Sequence, residues 1–333
     1  MTDSGPLLST APRDVQASRP ATEVSLTRVG VRGVEKVIHV RNGGTGLYFA
    51  ELECFVDLNP KQAGVHMSRF EEIVNEIIDE VVLHETLRAE ELAGQIAERV
   101  RERQQGLRAE VRIEARYPET VRTPESDLPT QEIYKLHGVA VASERGTRTL
   151  TGVEAQGMTA CPCAQEELTA RARERLEADG FEAGEIERVF RAVPVATHNQ
   201  RGIGELHLGR PEGAELDIDA RDLLHIVEGS MSSEIYELMK RSDETAVVEK
   251  ADRNPRFVED VVREMVRQVA EAYPELRDGG YLLARQENLE TIHRHSVVAE
   301  RTGLVSEILD ELDAGAHSRH HMTQREWLEA PAA

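Results

Sequence analysis

Two cysteines flank a proline in Cys161-Pro162-Cys163, and Thr197-His198-Asn199-Gln200-Arg201 follows beyond a charge-dense stretch. Thiolate and imidazole together favour a borderline-soft divalent cation, so the pairing points to a mononuclear site for Zn, Mn or Fe. A structural zinc site would need four closed protein ligands, and the remaining cysteine, Cys54, sits in an apolar run that reads as core strand. Three protein ligands and one open position would instead hold water, the arrangement of a catalytic metal. By itself Cys-x-Cys fits equally well two buried cysteines packed as small hydrophobes beside a surface histidine.

A second constellation runs from Glu287 to His295 and holds Glu287, Glu290, His293 and His295. As a strand it puts Glu287, Leu289, Thr291, His293 and His295 on one face and Glu290 on the other; as a helical turn it makes Glu290 and His293 neighbours. Either histidine could move protons near neutral pH, and a polar strand end is the plain alternative. Glu234, after Ser-Met-Ser-Ser, and Glu249, closing the run from Asp243, are single acids in an acid-rich chain that local pattern does not separate from surface carboxylates. His317, His320 and His321 look like a metal tract but read as a solvated tail.

Periodic segments must position these groups. Residues 1–22 are rich in Pro, Ser, Thr and Ala and read as a mobile arm. Leu47 to Leu58 reads as a strand, and the stripe Phe70, Ile73, Val74, Ile77, Ile78, Val81 and Val82 as a helix with one buried face, with a second helix from about Arg88 to Arg103. Val111, Ile113, Ala115 and Tyr117 alternate with polar residues in a half-buried strand, and Ile133 to Ser143 and Thr147 to Ala155 are extended. The charged segment at about 165–191 reads as a helical, solvated insertion. Beyond it come extended segments around Gly204 to Ala220, helices near Arg221 to Lys240 and Pro255 to Ala272, and strands from Gly280. The layout is α+β in two similar halves, 23–160 and 161–303, with a C-terminal tail at 304–333.

The 333 residues carry a formal net charge of −21, which disfavours a phosphate-backbone binder and predicts no nucleic-acid partner. Three cysteines are too few for a disulfide framework, there is no signal-like start, and no apolar run is long enough to span a bilayer, so a cytoplasmic protein with no membrane partner is expected.

Six patterns then coincide in order: Gly64 to Phe70 (GVHMSRF), Cys161-Pro162-Cys163, His198 to Arg201 (HNQR), Lys240 to Glu244 (KRSDE), Asn254 to Asp260 (NPRFVED), and Asn288 to His295. Together they resemble the type IB GTP cyclohydrolase family of prokaryotes, and Asp14 to Ala17 and Val29 to Val31 add to the likeness, especially to its archaeal branch. The resemblance implies a tunnelling fold with two ββααββ-like halves, assembled as a homotetramer with active sites at subunit interfaces. It implies opening of the GTP imidazole ring at C8, release of formate and one divalent metal per site, Zn, Mn or Fe(II). Carried over by position, Cys161, His198 and Glu234 match the metal ligands, and Cys163, Glu290 and His293 the catalytic residues. Glu249 matches the guanine anchor, with His66, Ser68, Arg69 and Arg201 inferred to meet the triphosphate. The wider family's product, 7,8-dihydroneopterin triphosphate, is the leading expectation. The long link between CPC and HNQR looks more like the archaeal branch, whose product is the 2′,3′-cyclic phosphate. A non-catalytic, metal-dependent assembly protein on the same scaffold is the alternative of another class.

Overall fold

The chain opens with an antiparallel hairpin, β1 (Leu26–Arg41) and β2 (Thr45–Leu58), followed by α1 (Met67–His84), α2 (Ala89–Gln104), β3 (Arg108–Arg122) and β4 (Pro129–Ser143). The computed structural model describes residues 15–41, 45–84, 88–211, 216–315 and 319–330. After β4 the ββααββ order returns. It comprises β5 (Gly146–Ala160), the inserted helices α3 (Pro162–Ala178) and α4 (Ala183–Ala192), β6 (Asn199–Gly209), α5 (Ala220–Gly229), the two-residue β7 (Ser233–Glu234), α6 (Arg241–Arg253), α7 (Val258–Ala272), β8 (Tyr281–Leu289) and β9 (Val297–Leu304). Two further helices, α8 (Val305–Ala314) and α9 (Gln324–Glu329), follow.

Among the described residues the strands form one nine-stranded sheet, ordered β1-β2-β3-β4-β5-β6-β8-β9, with β7 beside β5 and every pairing antiparallel. Strand alternation sets its two faces. On β3, Val111, Ile113, Ala115 and Tyr117 are buried while Arg112, Glu114 and Arg116 are exposed, as the sequence pattern predicts. The apolar face packs under Phe70, Ile73, Val74 and Ile77 of α1 and Leu92, Ile96 and Val100 of α2. In the second half Val261, Val262, Met265, Val266 and Val269 of α7 take that role. Each large apolar side chain so buried contributes about 1.5–3 kcal/mol. The side chains of Val81 and Val82 lie outside those described. No helix among the described residues is long and apolar enough to cross a membrane.

Several expectations need correction. The second ββααββ unit starts at Gly146, not at 161, because β5 pairs with both β4 and β6; position 161 is the entry to the insertion. The proposed arm at 1–22 is only partly described, and from Val15 it is tied down. Ala63 N donates to Ser18 O at 2.9 Å and Gly64 N to Gln16 O at 3.2 Å. The expected helix to Lys240 stops at Gly229, and α6 begins instead at Arg241. Its buried Asp243 accepts from Lys240 N, Ser126 N, Glu125 N and the Ser126 hydroxyl at 2.6–2.9 Å. That network, rather than an apolar stripe, anchors the helix start, and despite burial it holds the Asp243 carboxyl far below the usual range.

The tail at 304–333 is not simply solvated. Val305 and Ile308 of α8 and Trp327 and Leu328 of α9 are buried, and Trp327 packs with Val139, Val141, Leu150 and Tyr281 in a second apolar cluster. His317 lies outside the described residues. The insertion does fit its reading, since α3 has no buried residue and α4 only Ile186.

Candidate active site

The ladder between β5 and β6 runs through Gly157–Gly202 and Thr159–Gln200 to Ala160–Asn199, and Cys161 N donates to His198 O at 3.1 Å just beyond it. Strand parity then puts Thr159 and Cys161 on the face that Gly157 shares, with Gln200 and His198 opposite them across the ladder. Cys161 is also the N-cap residue of α3, with Pro162 at the first helical position, where the missing N–H is not needed. Thr197 closes the junction by donating from its hydroxyl to Cys161 O at 3.0 Å. Cys161 and His198 are half-buried and Cys163, one turn position further, is exposed.

Beyond the Lys135–Glu154 pair β5 parts from β4, and β7 takes over as its neighbour and pairs Glu234 with Gly157. The same end of the sheet therefore carries Cys161, His198 and Glu234 on adjacent strands and one face. Glu234 is engaged by the Lys250 ammonium of α6. Among the described residues no group of three or more His, Cys, Asp and Glu side chains stands close enough to hold a metal ion.

The third neighbour is β8, where Leu289 pairs with Arg201 and Thr291 donates to Asn199 O at 3.1 Å. Glu290 is thus laid alongside Gln200 and His198. The segment after Leu289 is neither of the two forms considered from sequence: the strand ends there and 290–296 is a bent loop. His293 is exposed in it and stacks on His295, ring centroids 5.2 Å apart.

Four buried polar atoms at this sheet end have no hydrogen-bond partner: His198 Nδ1, Glu290 Oε2, Gln200 Oε1 and Thr159 Oγ1. Each would cost stability if nothing occupied the site, so their clustering marks a place prepared for a ligand. Thr159 and Gln200 were not singled out from sequence. The signal was available, since Thr159 lies two residues before Cys161 on the same strand face and Gln200 belongs to HNQR itself. An unpartnered imidazole nitrogen beside a thiol-bearing residue fits a borderline divalent cation.

Of the remaining candidates, Arg201 and Glu249 lie near this sheet end, on β6 and on the α6 helix that carries Lys250, and the others do not. Arg201 is on the opposite sheet face from His198 and Gln200 and is exposed. Glu249 is exposed on α6 and receives a 2.8 Å bond from Arg253 Nε. His66, Ser68 and Arg69 stand at the start of α1, beyond the end of β2 that pairs with Ala109. That is the opposite end of the sheet from Cys161, separated by the length of a strand such as β3 (Arg108–Arg122), roughly 45 Å. One chain does not bring these residues to the Cys161–His198 end.

A cleft of about 560 Å³ lies near β7 and includes Glu132, Tyr134, Glu228 and Ile235 in its lining. Burial pushes Glu228 up to about 7, although the Tyr134 hydroxyl donates to it at 2.7 Å.

Comparison with known proteins gives the family and the fold. Residues 13–299 match the family described as GCHY-1, type I GTP cyclohydrolase folE2. The chain is 39% identical over 308 residues to a GTP cyclohydrolase MptA of Methanococcus maripaludis, covering 90% of this chain and 97% of that protein. It is 40% identical over 307 residues to a GTP cyclohydrolase MptA of Methanococcus aeolicus, covering 90% and 99%. Among solved structures, uricase from Arthrobacter globiformis superposes with a TM-score of 0.51 at 11% identity, over 88% of this chain and 96% of that one. A hyper-thermostable mutant of AgUricase gives 0.52 over 88% and 94%. At that identity the likeness speaks for the fold alone, which is the tunnelling fold. On the strength of its family match and its near full-length relatives, the chain belongs to the type I GTP cyclohydrolase family and is of the archaeal type.

Proposed function

We propose that this chain opens the imidazole ring of GTP at C8 with release of formate, and that its product is 7,8-dihydroneopterin 2′,3′-cyclic phosphate. The triphosphate, the leading expectation from sequence, gives way because the most similar relatives reported above are archaeal MptA proteins matched over almost their whole length. The observation that carries the reading is the Cys161–His198 pairing, with His198 Nδ1 buried and unpartnered beside a thiol.

Cys161 and His198 would hold one divalent metal, Zn, Mn or Fe(II), joined by Glu234 once its carboxylate leaves Lys250. When bound, the metal supplies a water of lowered pKa able to add to an electrophilic carbon. The chain's own residues do the rest. Glu290 Oε2 accepts a proton or hydrogen bond at the substrate, and His293 exchanges protons with the imidazole nitrogens as the ring opens. Cys163, at the start of α3, donates beside them. Glu249 accepts from guanine N1 and the exocyclic amine after releasing Arg253.

Of the phosphate-facing set, His66, Ser68 and Arg69 are too far from Cys161 within one chain to serve the same site, whereas Arg201 lies on β6 close to His198. A homo-oligomer, with one subunit's α1 start meeting another's Cys161 end, reconciles the two, and a homotetramer is the form we propose. The test is incubation of metal-loaded protein with GTP and identification of products by mass. Formate with the cyclic phosphate supports the proposal. Formate with the triphosphate overturns the phosphate chemistry alone, and absence of turnover across Zn, Mn and Fe(II) favours the non-catalytic assembly reading.

A further inference from the structure

On the sheet face away from α1, α2 and α7, His137 of β4, Gly152 of β5 and His207 of β6 form one rung, His137 pairing with Gly152 and Gly152 with His207. The two imidazoles stack over the glycine with centroids 5.2 Å apart and planes inclined by 30°. A Cβ at Gly152 would lie 2.3 Å from His207 Nδ1, so only a hydrogen there leaves room for the His207 ring over β5.

The outer nitrogens face carboxylates. His207 Nε2 is 2.6 Å from Glu205 Oε1, and His137 Nδ1 is 3.9 Å from Glu114 Oε2. The inner nitrogens, His207 Nδ1 and His137 Nε2, are buried and have no partner, and His207 is only 4% exposed. Glu205 Oε1 engages His207 at Nε2, so Nδ1 is the ring nitrogen left to meet an ion. An imidazole backed by a carboxylate, its other nitrogen bare, is the form a metal-bound histidine takes. The adjoining cleft of about 390 Å³ is lined by Glu51, Glu53, Glu114 and Glu205 against Arg32 and Arg112, an excess of negative charge that favours a cation.

We propose that His137 and His207 form a second metal site, for a borderline divalent transition ion such as Co²⁺, Ni²⁺ or Zn²⁺, with water completing its coordination. Two imidazole nitrogen donors select these ions over Mg²⁺ or Ca²⁺. The site is independent of the one at Cys161. It lies on the other sheet face, and the run of β5 from Gly152 to Cys161 spans roughly 30 Å. With only two protein donors, the ion is exchangeable rather than caged.

The experiment is a Co²⁺ titration of the metal-free, full-length Cys161→Ser chain, which removes the thiolate site and its sulfur-to-cobalt charge-transfer band. The expected result is one Co²⁺ per chain, with visible d–d absorption, no thiolate band, and paramagnetic broadening of two histidine ring signals in NMR spectra. His137→Gln and Gly152→Ala in that background should each weaken binding at least tenfold, the second without altering either ligand. Should either variant fail to fold, the histidine signals of the Cys161→Ser chain decide the matter. Absence of Co²⁺ binding by the Cys161→Ser chain, binding undiminished in folded His137→Gln and Gly152→Ala chains, or a bound Co²⁺ that leaves all histidine signals sharp would overturn the proposal.

Discussion

The amide of Cys161 donates to the carbonyl of His198 at 3.1 Å, so the thiol-bearing and imidazole-bearing residues are fixed against each other by main chain. Neither side chain is needed to hold that junction. Cys161→Ser and His198→Gln should therefore lose bound metal while far-UV circular dichroism and thermal midpoint stay close to the parent. Glu234→Gln should weaken metal binding less, because its carboxylate must first leave Lys250. Metal analysis after dialysis checks all three, and parent-like occupancy in every variant would remove the metal assignment.

The separation of His66, Ser68 and Arg69 from Cys161 gives a complementation test. Arg69→Ala and Cys161→Ser chains, each inactive as homo-oligomers, should recover formate release when unfolded together and refolded as a mixture. Activity that stays at the level of the separate variants would mean that one chain supplies the whole site.

Gly138 faces α2 so closely that a Cβ would lie 2.4 Å from the Ala89 carbonyl carbon, a backbone atom that cannot swing away. Gly138→Ala should destabilise the first half by about 1–3 kcal/mol, read from the denaturation midpoint in urea. Trp327 is 1% exposed and donates from its indole to Gly279 O at 3.0 Å, with Arg148 stacked on the ring. Trp327→Ala should cost about 3–5 kcal/mol in the same assay, which a solvated tail would not.

Glu228 gives a pH signature. Its carboxyl is raised to about 7 by burial, so between the ordinary carboxylate range and about pH 7 the folded chain holds a proton that the unfolded chain has lost. Stability should fall as pH rises through that window, and Glu228→Gln should flatten the fall. An identical pH profile for the variant would show that Glu228 ionises normally.

What the sequence made legible was whatever carried a period or a motif. The stripes of α1 and α7, the alternation of β3 and the Cys161 and His198 motifs were all readable. Strand β1 was not, because as a sheet edge it is mostly exposed on both faces and has Ile38 as its one buried large apolar residue among those described. Helix α6 was not, since a long-range network around Asp243 starts it. Thr159 carries no motif of its own and Gln200 is one polar residue within HNQR; the β5–β6 register, a tertiary fact, sets them opposite each other beside Cys161 and His198. The opposed ends of Arg69 and Cys161 likewise follow from strand direction, which spacing along the chain does not encode.

Formate release is the most direct measure of the central claim, since only ring opening at C8 frees that carbon. Metal-loaded wild-type protein should release one formate per GTP consumed, and the His198→Gln chain under the same conditions should release none above background. GTP consumed without formate, or formate released equally by the His198→Gln chain, would contradict the assignment of ring opening to the Cys161–His198 site.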